Sequence, residues 1–230
     1  MKLKILGLAL LALAATSAFA VTNASGTLGG HFVHEGPGAN AKIVAHESKL
    51  TEHKLQFFLL NAGAHTTNAN FKAIECEKST YEGTVTAKTV TSITMAPTYT
   101  NCATTGEATG SVHVHVNGCT YTFTSAAGAN HGTVDILCPA GKAIEITHTP
   151  QGCTIKVPAQ TALSGIKYDT VVENNKHSLT ATVTVNTITG HFEAGLCVFL
   201  GTNQKFEMVG SVTITGLDHA TGAQIPITQT

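Results

Sequence analysis

Between residues 112 and 157, apolar and polar positions alternate with a period of two, and turn-forming residues break the alternation at short intervals. That period marks strands with one buried face, because successive side chains of an extended chain point to opposite sides. Val112, Val114 and Val116 alternate with His113 and His115; Asn117-Gly118 follows, the strongest two-residue hairpin signal. The hairpin would set Val116 against Cys119, Val114 against Tyr121 and Val112 against Phe123. In the next strand, Thr133–Cys138, the residues Val134, Ile136 and Cys138 would then lie opposite Phe123, Tyr121 and Cys119. Pro139-Ala140-Gly141 supplies a three-residue turn, with Pro139 at its first corner and Gly141 at the left-handed position. It would pair Ile136 with Ile144 and Val134 with Ile146. After Pro150-Gln151-Gly152, the residues Cys153, Ile155 and Val157 face His148, Ile146 and Ile144. The register predicts a five-strand antiparallel meander at about 112–157, in which a one-residue slip would turn a whole strand over.

Shorter apolar runs flank it, at 27–33, 42–45, 55–60, 71–76, 84–87 and 92–95 before, and 165–172, 179–185, 196–200, 206–216 and 225–228 after. Residues 61–70 and 101–110 read as polar connectors. About fourteen short strands with frequent turn signals predict an all-β, antiparallel, sandwich-like or barrel-like fold. The chain would form one domain from 21 to 230, either a single unit or two packed sub-units with a boundary near 97–110 or 158–165.

The first twenty residues have a basic start at Lys2 and Lys4, an apolar stretch from Ile5 to Ala15, and the small-residue end Ala18-Phe19-Ala20. That is the pattern of a secretory signal cleaved before Val21. It predicts an extracellular or cell-surface protein with no membrane insertion after cleavage. The 13 basic residues are all Lys, the net charge is −1, and Trp is absent. Clustered Lys and Arg on one face, the footprint of a nucleic-acid binder, are not visible. A bidentate Arg fork for phosphate is impossible. No G-x-S-x-G is present, and the glycines of 26–30 lack the strand–loop–helix context of a phosphate cradle. No cofactor is expected.

Six cysteines, an even number in an exported chain, read as three disulfides. No C-x-x-C or finger-type Cys/His spacing favours zinc. The register places Cys119 beside Cys138 on adjacent strands. Cys153 lies toward the other end of the meander and would reach either Cys197 or one of the N-terminal pair Cys76 and Cys102; the expected pairs are Cys76–Cys102 and Cys153–Cys197.

The opposite face of the predicted meander carries His113, Thr122, Asp135 and Glu145 in one row, with His115 on the same face. An H-x-H pair on a strand can offer two imidazoles to a metal, and acids can complete such a site. Neighbouring carboxylates can also divide acid and base roles or hold Ca²⁺. Strands lie about 4.8 Å apart, so His113 and Asp135 would be about 10 Å apart, too far for one ion unless other residues close in. A solvated polar face is the simpler account.

The segments Pro97–Cys102, Asn117–Phe123, Val134–Gly141, Ile144–Ile146 and Gly152–Ile155 resemble a group of uncharacterised, secreted, disulfide-containing β-rich proteins of actinomycete-type bacteria. The resemblance implies export, disulfides and a β fold, and carries no catalytic or ligand residues. The expected role is non-catalytic: a secreted or cell-surface structural or binding protein with an extracellular or envelope partner. A small-molecule or divalent-cation binder using His113, His115, Asp135 and Glu145 comes second, and an extracellular hydrolase last.

Overall fold

A computed structural model describes residues 30–47, 56–59, 71–106, 110–126, 130–149, 152–173, 176–194 and 204–230. The predicted signal segment and the strand expected at 196–200 lie outside the described residues.

Among the described residues there are strands and turns and no helix. The strands are β1 (Phe32–His34), β2 (Ala41–Glu47), β3 (Gln56–Leu59), β4 (Phe71–Val85), β5 (Thr89–Val90), β6 (Ser92–Gly106), β7 (Ser111–His115) and β8 (Thr120–Ser125). They continue with β9 (His131–Leu137), β10 (Ile144–Thr149), β11 (Cys153–Val157), β12 (Gln160–Glu173), β13 (Lys176–Ala194), β14 (Gln204–Asp218), β15 (Gln224–Ile225) and β16 (Ile227–Gln229). The all-β, antiparallel, barrel-like class expected from the pattern is the observed one.

The pairings close on themselves twice. One ring runs β4-β6-β8-β9-β12-β13-β14-β2 and returns to β4. A second runs β4-β6-β7-β10-β11-β13-β14-β3 and returns to β4. The long strands β4, β6, β13 and β14 belong to both. Along β6, residues 92–95 pair with β8 and residues 102–103 with β7. Along β14, residues 206–209 pair with β3 and residues 212–218 with β2. The two rings therefore stand end to end on four shared staves. Closure is what removes sheet edges, and each long strand of the wall exchanges partners along its length, so that its ends are paired in different rings.

This arrangement corrects the meander. The hairpins β8–β9 and β10–β11 have the expected register, with Phe123 opposite Val134, Tyr121 opposite Ile136, Ile146 opposite Ile155 and His148 opposite Cys153. The other two pairings do not form. The Asn117-Gly118 turn is present, with φ of 52° and 80° and a Cys119 N–H to Val116 carbonyl bond of 2.8 Å. The strands splay beyond it. Val114 lies opposite Ile146 rather than Tyr121, and Val112 lies between Cys102 and His148. At Pro139–Gly141 the turn also forms, with Lys142 N–H bonded to Pro139 carbonyl at 2.9 Å and Gly141 at φ 70°. Its flanking strands part as well: β9 pairs with β12 and β10 with β7. Both turns are crossovers between rings. A partner long enough to take two short strands in series, here β6, outcompetes a two-stranded hairpin because it leaves no edge open.

The expected connector at 101–110 is another correction, since β6 runs through to Gly106. Asn101 tolerates this by taking φ 51°, and its side-chain amide donates to the Glu77 carboxylate at 2.8 Å. Of the segments 97–110 and 158–165, β6 covers residues 97–106, and β12 begins at Gln160.

Inward positions form a single apolar core. The inward face changes phase between the rings. Cys76 and Ser79 are both buried on β4, and Val185 and Ile188 on β13, where the register shifts. Such irregularities re-aim side chains and bend strands, as closure at two levels demands. At one end β1, β5 and β16 form a small separate sheet. It seats Phe32 edge-on to Tyr168 of β12, ring centres 5.2 Å apart.

Candidate functional site

The outward row expected from the meander is taken apart by the crossovers. Asp135 lies opposite Thr122 on β8, as expected. His115 lies opposite Glu145, and His113 opposite Thr147, on the other ring. Asp135 therefore does not face Glu145. Among the described residues, no group of three or more His, Cys, Asp or Glu side chains is placed to hold a metal ion.

Each of these residues has a local job or neighbour. The Asp135 carboxylate accepts the Ala162 N–H at 2.6 Å. Ala162 sits at φ 56°, where β12 shifts register against β9. Asp135 thus satisfies an amide that the irregularity withdraws from the ladder. Glu145 lies opposite Lys156, whose ammonium is 3.4 Å from Glu145 and 2.6 Å from Glu193. Lys156 lies opposite His191, and His191 Nε2 lies 3.2 Å from Glu193. The outward row is His115, Glu145, Lys156, His191, with a lysine already beside its acids. The bond to Glu193 holds the Lys156 ammonium above its ordinary range, and the bond to Lys156 holds the Glu193 carboxyl below its own.

The belt between the rings is closed by side chains. Asn117 donates to the Ala143 carbonyl at 3.0 Å, joining the two crossover turns. Gln160, at the head of β12, bonds the backbone of Thr189 in the way a strand would. Cys119 bonds to Cys138 beside the same turns, with Cα atoms 4.1 Å apart. Cys76 bonds to Cys102 across the shared strands β4 and β6, with Cα atoms 3.9 Å apart. Both pairings are those expected from the sequence. Cys153 is also disulfide-bonded; its expected partner, Cys197, lies outside the described residues.

Inside the wall at this level lies a cavity lined by residues of both rings. Ile74 and Cys76 come from β4, Tyr99 from β6, Val114 from β7, Tyr121 from β8, Ile136 from β9 and Ile144, Ile146 and Val157 from β10 and β11, with Ile188 and Met208 opposite. A smaller space continues into the first ring past Tyr121 and Met208 toward Phe123, Val134 and Val183. Tyr99 donates its hydroxyl hydrogen bond to the Tyr121 hydroxyl at 3.1 Å. Tyr81 packs against both, with ring centres 6.2 Å from Tyr99 and 6.1 Å from Tyr121. Burial, and then the neighbouring Tyr121 and Tyr81, push the Tyr99 phenol well above its ordinary range. Burial also raises Tyr121, against a lowering by its bond from Tyr99.

The tyrosines were not singled out from sequence as site residues. The period-two pattern does put Tyr121 on the apolar face. Tyr99 falls between the apolar run at 92–95 and the connector expected at 101–110, so its inward face emerges only from the continuous β6.

No protein-family model, curated protein or solved structure matches this chain.

Proposed function

We propose that the chain is an exported, non-catalytic β-barrel module that serves as a structural or binding element outside the cell, at the surface or free of it, with an extracellular or envelope partner. The observation that carries this reading is the bonded pairs Cys76–Cys102 and Cys119–Cys138, placed where the two rings meet. Disulfides persist in oxidising compartments and are rare in the reducing cytosol. The leader pattern of residues 1–20 agrees. The outward face also agrees: His113, His115, Asp135 and Glu145 point away from the core, whereas a barrel wall set in lipid carries an apolar outward band.

Fractionation of cells expressing the full chain tests the reading. The mature protein should be recovered outside the cytoplasm, starting at Val21 and carrying no free thiol. Recovery in the cytoplasm with reduced cysteines would overturn it.

A further inference from the structure

The cavity between the rings has room that no lining side chain among the described residues fills. The space open to the centres of water-sized spheres is about 60 Å³. A single water needs roughly 10–15 Å³ of such room, so the cavity suits a guest of about four to six heavy atoms. Among the described residues, none that lines it carries a charge at neutral pH, and the only hydroxyls are those of Tyr99 and Tyr121, already bonded to each other. Each buried water needs two to four polar partners, so water is poorly served here, whereas apolar cavities stay dry and take apolar guests. A charged guest would meet no counter-charge. Tyr99, Val114 and Met208 pack against the core from the inner face of the wall, yet they are only partly covered.

The wall is weakest at the same level. On β6, pairing with β8 ends at Met95 and pairing with β7 begins at Cys102, so among the described residues Ala96–Asn101 has a strand on the β4 side only. On β13, pairing with β12 ends at Val183 and pairing with β11 begins at His191. Tyr99 and Ile188, both lining the cavity, lie within these two stretches, each laddered on one side. Backbone with fewer ladder bonds opens locally at lower cost, which gives a guest a way in.

We propose that this cavity is a binding site for a small, uncharged, mainly apolar molecule bearing one hydrogen-bonding oxygen, which the Tyr99–Tyr121 hydroxyl pair receives. The proposal rests on the reading of the chain as a binding module and deepens it.

The test uses the mature, disulfide-intact protein with xenon and cyclopentanone as probes. Xenon NMR should show saturable exchange with the wild type. Cyclopentanone should raise the melting temperature and alter tyrosine emission, a direct reporter because the chain has 4 Tyr and no Trp. Val114→Phe, which fills the space, should abolish both effects. Tyr121→Phe, which removes the O–H left free when Tyr121 accepts from Tyr99, should weaken cyclopentanone several-fold and leave xenon unchanged. No saturable probe effect, equal effects in V114F, or a cavity that takes xenon but not cyclopentanone would each overturn the proposal. If V114F does not fold, xenon-pressurised wild-type crystals decide: density among Tyr121, Ile146 and Met208 supports the site, and density only elsewhere or none refutes it. The fractionation result stands independently of all these outcomes.

Discussion

Gln160 and Thr189 are joined by three hydrogen bonds across the belt between the rings. The Gln160 amide donates to the Thr189 carbonyl at 2.9 Å, and its Oε1 accepts the Thr189 N–H at 2.7 Å and the Thr189 hydroxyl at 2.9 Å. One side chain thereby replaces the strand that β13 lacks at that point, where β11 has left and β12 has not yet paired. Gln160→Ala should lower stability by about 1 kcal/mol, since water at this exposed position partly replaces the lost bonds. Gln160→Glu keeps the acceptor and loses the donor, setting a negative oxygen against the Thr189 carbonyl, and should not rescue the loss. Urea denaturation midpoints of the two variants measure this. A wild-type midpoint in Q160A would mean that the amide closes nothing.

The Cys119–Cys138 bridge spans 19 residues of chain and sits beside both crossover turns. Its loop predicts a loss of about 3 kcal/mol in the Cys119→Ser/Cys138→Ser double variant, on the chain-entropy account. Hydrogen exchange adds a spatial check. Protection should fall most at Thr120–Thr122 and Asp135–Leu137, the paired ends of β8 and β9 next to the bridge. Uniform loss of protection over the whole barrel would show instead that the bridge acts only through the unfolded chain.

Tyr99, Tyr121 and Tyr168 all have phenols held above the ordinary value, in each case chiefly by burial. A folded-state pKa above the unfolded one means that the stabilisation is complete below about pH 10, the unfolded tyrosine value. It is lost as pH rises through the higher folded values. Absorbance at 295 nm should therefore lag that of free tyrosine above pH 10. It should then rise in the same cooperative step as the loss of the β-sheet circular dichroism signal. A smooth titration at the ordinary tyrosine value, with the fold intact, would contradict the burial of these side chains.

Much of the local structure is legible in the chain. The alternation Cys119, Tyr121, Phe123 against Val134, Ile136 and Cys138 sets one register, and the observed strands keep it. The chemistry of Asn117-Gly118 and Pro139–Gly141 specifies turns, and both form. The Cys119–Cys138 pairing follows directly from that register. The outward row was legible only in pieces. Thr122 and Asp135 face each other, but Glu145 lies opposite His115 and Lys156. A tight turn orients the two residues beside it and has no hold on where the strands go afterwards.

The sequence by itself thus determined the strand class, the inward and outward faces within each strand, the turns and the local disulfide, because these depend on side-chain period and on φ preferences a few residues apart. Tertiary structure alone decided which strands pair across the turns, that four long strands serve two rings, and that a cavity with a tyrosine pair opens between them. The physical reason is that a strand has two equivalent hydrogen-bonding edges. Its own pattern says which face is buried and leaves open which edges it joins, and closure of the whole wall settles that.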